Sequence, residues 1–215
     1  SIAAVVVAIL APVLGFIADK GGAKKKFLLF FLVLGVVATG ALGFIARGDW
    51  PMAITCYALA TIGFAGGNIF YDSLLISVTG GRRMDFVSAL GYGAGYLGGG
   101  ILFAVNVWMT LSPGRFGLGD AAQAAKASFI TVAVWWALFS IPLFLFVREP
   151  TAGGRGGMNA VTGAFKGLRS AFDQVRKVRV AFLFLIAYWL YIDGVDTTIL
   201  MAVDYGLSLG FDSNA

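Results

Sequence analysis

Residues 15–46, GFIADKGGAKKKFLLFFLVLGVVATGALGFIA, decide the fold class of this chain. A short polar segment with a run of three lysines, residues 24–26, leads directly into twenty residues, 27–46, that carry no charged side chain. About 20 apolar residues are enough for an α-helix to cross the hydrocarbon core of a bilayer. The stretch therefore predicts a basic loop on one face of a membrane, followed by a membrane-spanning helix.

Hydrophobic runs of similar length divide the rest of the chain. We predict six spans, at about residues 1–18, 27–46, 52–78, 86–111, 127–147 and 180–203. The runs are continuous and lack the period-two alternation of transmembrane β-strands. The predicted fold class is all-α, a polytopic transmembrane helical bundle. The chain starts inside the first run and stops soon after the sixth, so we expect it to be an internal piece of a longer membrane protein.

The composition argues against most kinds of catalytic centre. Of the 215 residues, 59% are hydrophobic and 13% are charged; there is no histidine, and Cys56 is the single cysteine. Such a chain cannot form a Ser-His-Asp triad, a histidine metal site or an internal disulfide. No nucleophile–base pair or metal-ligand set can be assembled from it. We therefore predict no catalytic residue, no metal and no cofactor, and an enzyme is the least favoured class.

Basic residues are distributed unevenly over the loops. Of the 16 lysines and arginines, 13 fall in loops 19–26, 79–85 and 148–179. The other three are Arg47, Arg115 and Lys126. Loops rich in lysine and arginine stay on the cytoplasmic side. The prediction is a multi-pass protein of the cell (inner or plasma) membrane with these three loops in the cytoplasm, and no nucleic-acid partner is needed to explain the net charge of +5.

The third of these loops contains a candidate amphipathic helix. After the glycine-rich run TAGGRGG, residues 151–157, apolar residues recur at spacings of three and four and share one helical face. They are Val161, Phe165, Leu168, Phe172 and Val175. Two interpretations stay open: a basic helix lying on the inner leaflet, or a linker helix packed against the cytoplasmic ends of the bundle.

Glycines spaced by four residues predict close helix packing, because small residues at this spacing let a neighbouring helix approach within a membrane. They are Gly91, Gly95 and Gly99 in the fourth span, and Gly63 and Gly67 in the third. Residues 93–98 also match the GxGxxG pattern of dinucleotide-binding proteins. That fingerprint needs a preceding strand, and here the match lies inside a hydrophobic span, so we reject it.

Polar side chains inside the apolar spans are the candidate functional residues, because such groups are costly in hydrocarbon and usually face a cavity or a partner. They are Asn68, Tyr71 and Asp72 in the third span, Tyr96 and Asn106 in the fourth, and Tyr191, Asp193 and Asp196 in the sixth. One interpretation is a polar pathway for a solute or a proton, with Asp193 as the leading candidate. The other is that the acids snorkel to an interface or pair with a basic residue outside this chain.

Residues 15–27, GFIADKGGAKKKF, resemble the signature loop between the second and third helices of major facilitator superfamily transporters. The matching positions are Gly15, Asp19, Lys20, Gly22 and Lys24, whereas Ala23 stands where a basic residue is common. In that family the loop is cytoplasmic and latches helix ends during the switch between inward- and outward-facing states. The resemblance implies a conformational gating role for the five matching residues.

Three further stretches are similar to the vacuole-effluxer-like branch of that superfamily. They are IFYDSLL at 69–75, VSALGYGAGYLGGG at 87–100 and FLIAYWLYIDGVDTTILMAVDYG at 184–206. Asp72 departs from the pattern, in which an asparagine is usual. Eukaryotic members of the branch export amino acids from the vacuole, so the resemblance implies a small solute and suggests amino acids.

The resemblance also implies a division of the chain, because the six spans correspond to helices two to seven of a twelve-helix transporter. Residues 1–147 then hold five spans of the N-terminal six-helix half, and residues 148–179 are the cytoplasmic linker between the halves. Residues 180–215 are the first span of the C-terminal half and the start of the following outer loop. The implied partners are membrane lipid, the solute and the remainder of the same transporter.

The implied function is secondary active transport by alternating access, coupled to an ion or a proton. Two other classes stay open. One is a membrane receptor or scaffold that keeps the fold without transporting, which would have no need of Asp193. The other is a channel, for which a pore helix or rings of like charge are expected.

Overall fold

The computed structural model describes residues 24–79, 83–149, 170, 173–174 and 176–208. The chain divides into two compact units, residues 1–164 and residues 165–215, and each is described by itself. The first predicted span, residues 1–18, lies outside the described residues. So do the five apolar residues of the predicted amphipathic helix.

The described part of the first unit is a bundle of four α-helices. They are α1 (Lys24–Leu42), α2 (Trp50–Thr79), α3 (Met84–Leu111) and α4 (Ala121–Phe146), with a short 3-10 helix, Pro113–Phe116, between α3 and α4. Each of the four is long and apolar enough to cross a membrane. They overlap the second to fifth predicted spans, which confirms the all-α, polytopic transmembrane fold.

The helices begin or end at other residues than the predicted spans where capping or turn hydrogen bonds define their ends. α4 begins at Ala121, six residues before the predicted span, because Asp120 caps its first turn by accepting a hydrogen bond from the backbone N–H of Gln123 at 2.7 Å. Lys126 interrupts the apolar run but not the helix. At the end of α1 the chain leaves the helix at Leu42, and the backbone N–H of Gly43 turns back to the carbonyl of Gly40 at 3.1 Å.

α1 packs between α2 and α4, and glycines make the close approach possible. A Cβ atom at Gly63 of α2 would lie 2.5 Å from the backbone nitrogen of Gly35, nearer than side-chain atoms come to a neighbouring backbone. On the same face of α2, a Cβ at Gly66 would clash with the ring of Phe31. A Cβ at Gly35 would likewise clash with the ring of Trp136 on α4. These contacts confirm the close packing predicted at Gly63.

The best-buried side chains lie between α1 and α2. Leu28, Phe31, Phe70 and Leu74 form one cluster, in which Phe70 is completely buried. The ring of Phe27 stacks on that of Phe70 with centroids 5.3 Å apart. α3 contrasts with this pair, because most of its apolar side chains are exposed in the described unit.

α1 and α4 run antiparallel, as alternating loops require. At one end Arg47, after α1, forms an exposed ion pair of 3.8 Å with Asp120, before α4. At the other end the Nζ atom of Lys25 donates to main-chain carbonyls at the end of α4. We call the second end the inner end, after the predicted orientation. Lys24 and Lys25, from the predicted cytoplasmic loop 19–26, thus meet Glu149, at the start of the predicted linker, at one end of the bundle.

The second unit contains α5 (Arg179–Ser208), which covers the whole sixth predicted span. The helix continues through Gly194, and the hydroxyl of Thr198 donates to the carbonyl of Gly194 at 2.9 Å. Many of its apolar side chains are exposed within this unit, including Val180, Phe184 and Trp189.

Candidate functional site

A cleft of about 960 Å³ opens between the four helices of the first unit. All four contribute to its wall, with Leu28 and Thr39 from α1 and Trp136 from α4 among the lining residues. The volume lies within the range of about 300–1,000 Å³ typical of small-molecule sites. Among the described residues that line it, none is charged. The cleft can therefore hold a small solute against apolar, aromatic and neutral polar groups.

Three of the polar residues predicted to form a pathway line this cleft. Asn68 and Tyr71 come from α2, and Asn106 comes from α3. Gly95 and Gly99, predicted as packing residues, also lie in its wall. The hydroxyl of Tyr71 reaches α3, where a Cβ at Gly91 would lie 3.4 Å from it. The predicted polar residues of two separate spans thus face one space.

The amide of Asn106 is held in place from α4. The hydroxyl of Thr131 donates to Oδ1 of Asn106 at 2.9 Å, and the carbonyl of Ser128, also at 2.9 Å, is its alternative acceptor. One end of the amide is thereby fixed by a neighbouring helix. Side-chain hydrogen bonds of this kind between helices stabilise membrane proteins by about 0.6 kcal/mol on average.

Sequence reasoning missed Thr131 and the aromatic wall of the cleft. Trp135, Trp136 and Phe139 of α4 line it, and the rings of Trp135 and Phe139 pack with centroids 4.4 Å apart. Across the cleft, Phe64 of α2 meets Trp136 edge to face at 6.0 Å. The available signal was a group of three aromatic residues on α4 that begins about one helical turn after the hydroxyl-bearing Thr131.

Two further hydroxyls in the wall are bonded to their own helices. Thr61 donates to the carbonyl of Tyr57 at 2.8 Å, and Ser140 donates to the carbonyl of Trp136 at 2.7 Å. Each hydroxyl donates its hydrogen bond to the backbone carbonyl four residues earlier. Its oxygen can still accept a hydrogen bond from a solute. These residues add little donor capacity to the cleft.

Two predicted pathway residues, Asp72 of α2 and Tyr96 of α3, do not line the cleft. Tyr96 is 80% exposed, and Asp72 is an exposed neighbour of Tyr71. At Gly95 and Gly99, no atom of the described residues lies within 4 Å of an added Cβ. Close helix packing at these two glycines thus has no partner in the described part of the chain and stays a prediction.

Of the predicted gating residues, Gly15, Asp19, Lys20 and Gly22 lie outside the described residues. Lys24 is described, at the first position of α1. Its backbone N–H donates to Oε1 of Glu149, and its Nζ atom donates to the carbonyl of Ser73 at 3.5 Å. The last residue of the predicted gating signature therefore touches both α2 and the segment that follows α4.

The predicted residues of the sixth span belong to the second unit. Tyr191 and Asp193 are exposed on α5, and a Cβ at Gly194 would meet no described atom within 4 Å. The side chain of Asp196 lies outside the description. A pathway role for these residues stays a prediction. Within the described ranges, no group of three or more acidic or cysteine residues could hold a metal ion.

Comparisons with known proteins agree with the helical architecture. The sequence model of the family described as vacuole effluxer Atg22 like matches residues 1–78 and 79–209. A protein of Bacillus subtilis (strain 168), named as an uncharacterised MFS-type transporter, YxiO, is 39% identical over 223 aligned residues, which cover 100% of this chain and 50% of the relative.

Fungal relatives match a smaller part of the chain. Autophagy-related protein 22 of Yarrowia lipolytica is 25% identical over 132 residues, covering 52% of this chain and 21% of that protein. Its counterpart in Gibberella zeae is 29% identical over 121 residues, covering 52% and 18%. The chain spans about half the length of the bacterial relative and about a fifth of each fungal one. No solved structure is significantly similar to it.

Proposed function

The chain belongs to the vacuole effluxer Atg22-like family, a branch of the major facilitator superfamily, and is part of a multi-pass membrane protein. We propose that it supplies half of a secondary active transporter that carries a small solute across the cell membrane by alternating access. In this proposal residues 1–147 belong to the N-terminal half, residues 148–179 link the halves, and residues 180–215 begin the C-terminal half. Loops 19–26, 79–85 and 148–179 face the cytoplasm.

The cleft of the first unit is the observation that carries the proposal. Polar side chains in hydrocarbon are costly unless they face a cavity or a partner. Asn68, Tyr71 and Asn106 come from two helices that are each long enough to cross a membrane, and all three line one cleft. A protein that needed these helices as a scaffold alone would gain nothing from two asparagines at an open cleft inside the membrane.

The uncharged wall of the cleft indicates which part of a solute it contacts. Among the described lining residues there is no acid or base to pair with a charged group. Amino acids are the solute class suggested by the effluxer relatives, and they carry one charge of each sign. We propose that the cleft holds the uncharged body of the solute. We also propose that Asp193 of α5 contributes to the substrate or proton pathway, with Asp196 assisting.

Reconstitution of the full-length protein tests this function. Uptake and efflux of a panel of amino acids and other small solutes are measured in proteoliposomes, with and without a pH gradient. A transporter gives saturable flux of one solute class that a gradient drives uphill. Flux that follows only the solute's own concentration gradient and does not saturate identifies a channel. Binding of the solute without any flux identifies a receptor or scaffold.

A pair of variants connects the flux to the cleft. Asn106→Leu keeps the side-chain volume and removes the amide, so we expect the Michaelis constant for the solute to rise or the flux to vanish. The control is Val105→Leu, at the neighbouring α3 residue that does not line the cleft. Equal flux for both variants and the wild type would place the solute pathway elsewhere.

A further inference from the structure

The indole of Trp136 on α4 is seated against a glycine of α1. A Cβ atom added to Gly35 would lie 2.6 Å from Cζ3 of Trp136 and closer still to Cη2, and both atoms belong to the six-membered ring. Gly35 is buried and does not line the cleft, whereas Trp136 does. The indole therefore occupies a recess in α1 that exists because residue 35 has no side chain. We call it the Gly35 recess.

The backbone of α1 at this level has no room to move towards α2. A Cβ atom at Gly63 would lie 2.5 Å from the nitrogen and 2.6 Å from the Cα atom of Gly35, so the two helix backbones are already in contact. Interiors packed this closely transmit a displacement instead of absorbing it. A side chain at position 35 would therefore displace the far end of the Trp136 indole, not α1.

A displaced indole would narrow the cleft. Phe64 of α2 meets Trp136 edge to face with ring centroids 6.0 Å apart, and both rings line the cleft. With α1 behind it and Phe64 beside it, the indole can move only into the open space that a solute would use. The Gly35 recess thus sets the free width of the cleft.

We propose that Trp136 is a specificity-determining residue and Gly35 the residue that positions it, and that together they set the largest uncharged body that the cleft accepts. The inference rests on the proposed transport function. With the indole in the recess, the cleft of about 960 Å³ accepts bulky bodies. A single methyl group behind the indole shifts the preference towards small ones. In an apolar pocket one methylene changes the discrimination between solutes about tenfold or more.

The test compares transport of a size-graded series, alanine, leucine, phenylalanine and tryptophan, by the full-length protein in proteoliposomes. The quantity measured is the maximal rate divided by the Michaelis constant, expressed as the ratio of tryptophan to alanine. In Gly35→Ala we expect this size ratio to fall about tenfold. Trp136→Phe shortens the ring that would clash, so the double variant should regain at least the wild-type ratio. A double variant with a ratio as low as that of Gly35→Ala would overturn the proposal.

Trp136→Phe alone keeps the proposal testable if Gly35→Ala does not fold. The smaller ring leaves part of the Gly35 recess empty and widens the cleft, so we expect the size ratio to rise. A ratio equal to that of the wild type, in a variant that folds and transports, would overturn the role of Trp136.

Two further glycine variants separate the width of the cleft from helix packing in general. Gly40→Ala adds a methyl group to the same α1–α4 interface, at an ordinary 3.6 Å from the Cβ atom of Ala133, and should behave as wild type. Gly66→Ala adds one against the ring of Phe31, which does not line the cleft. We expect it to lower the unfolding midpoint at an unchanged size ratio. A size ratio that falls as it does in Gly35→Ala would assign the effect to packing and overturn the proposal.

A second readout measures the cleft without transport. Thr61→Cys places a thiol in the wall on α2, in a background from which Cys56 and the other native cysteines are removed. Its modification rates with methyl methanethiosulfonate and the bulkier benzyl methanethiosulfonate are compared. Gly35→Ala should slow the benzyl reagent selectively, and added Trp136→Phe should restore its rate.

The two readouts distinguish the ways in which the inference can fail. Unchanged modification rates in Gly35→Ala would overturn the Gly35 recess as the determinant of width. Slower benzyl modification with a wild-type size ratio in transport would overturn the role in solute selection. A wild-type protein that transports none of the four solutes would overturn the transport function, and the solute selection with it, whatever the modification rates show.

Discussion

Glycines that the same sequence spacing predicts to pack against a neighbouring helix, Gly63 of α2 and Gly95 and Gly99 of α3, have opposite surroundings in this molecule. Gly63 of α2 lies against the backbone of α1, where an added Cβ would be 2.5 Å from a nitrogen atom of Gly35. Gly95 and Gly99 of α3 border an open cleft, with no described atom within 4 Å of an added Cβ. Glycine spacing therefore indicates a face without side chains, and the neighbouring helices decide whether that face is packed or open.

Filling the packed face should have the largest effect. In Gly63→Leu a bulky side chain must push α1 and α2 apart, and we expect loss of folded protein or a destabilisation of roughly 3 kcal/mol. Thermal unfolding and expression level measure it. Gly93→Leu on α3, where an added Cβ meets no described atom within 4 Å, is the control. Equal stability of the two variants would contradict the distinction between the packed and the open face.

Asp193→Asn extends the test of open helix faces to α5. At the next residue, Gly194, an added Cβ would likewise meet no described atom within 4 Å. The substitution keeps size and hydrogen bonding but removes titration, so we expect transport driven by a pH gradient to be lost while the protein still folds. Flux in proteoliposomes at several pH values measures this. Asp173→Asn removes an exposed carboxylate before α5 and should behave as wild type.

Two results for Asp193→Asn would count against this role. Wild-type transport with an unchanged pH dependence would remove Asp193 from the pathway. Loss of expression would instead support the structural interpretation, in which the carboxylate pairs with a basic residue outside this chain.

Gly95→Leu tests the open face itself. We expect stability close to that of the wild type and a roughly tenfold loss of transport, because the new side chain occupies the cleft. The Michaelis constant and the unfolding midpoint are measured together. A loss of stability as large as that of Gly63→Leu would mean that another helix packs at Gly95, as the glycine spacing predicts. Full activity with unchanged stability would place Gly95 outside the pathway and outside any packed interface.

Thr131→Val should have the smallest effect. The substitution removes the hydrogen bond from α4 to the amide of Asn106, while valine has nearly the same size as threonine. We expect a roughly threefold rise in the Michaelis constant for the solute at an unchanged maximal rate. Thr131→Ser keeps the hydroxyl and should restore the wild-type value. Thr55→Val, which removes a hydroxyl that is bonded to its own helix, is the control. An unchanged Michaelis constant for Thr131→Val would show that Asn106 needs no support from α4.

The sequence was sufficient for features that depend on one helix at a time. Uninterrupted apolar runs located α1 to α4, and a polar residue in such a run is conspicuous, which is how Asn68 and Asn106 were found. The start of α4 was misplaced because Lys126 ends the apolar run, whereas Asp120 starts the helix through a cap.

Features that depend on two helices at once were not predictable. Thr131 and Trp135 are unremarkable in an apolar span until α3 lies beside them. The contacts of Lys25 with Glu149 and with the carbonyl of Phe144 join residues more than a hundred positions apart. Three lysines at the start of a helix predicted a basic loop, and nothing in their spacing indicated that one of them serves the end of another helix.

The hydroxyls that donate to their own helices have a consequence for biosynthesis. Thr61 and Ser140 offer their protons to backbone carbonyls within the same segment, so each keeps its hydrogen bond when that segment passes sideways from the translocation machinery into lipid. The amide of Asn106 differs, because its described side-chain hydrogen bond comes from Thr131 of α4, a segment synthesised later. We therefore expect α3 to enter the lipid less readily than α2 or α4, and to do so fully once α4 has been synthesised and can pair with it.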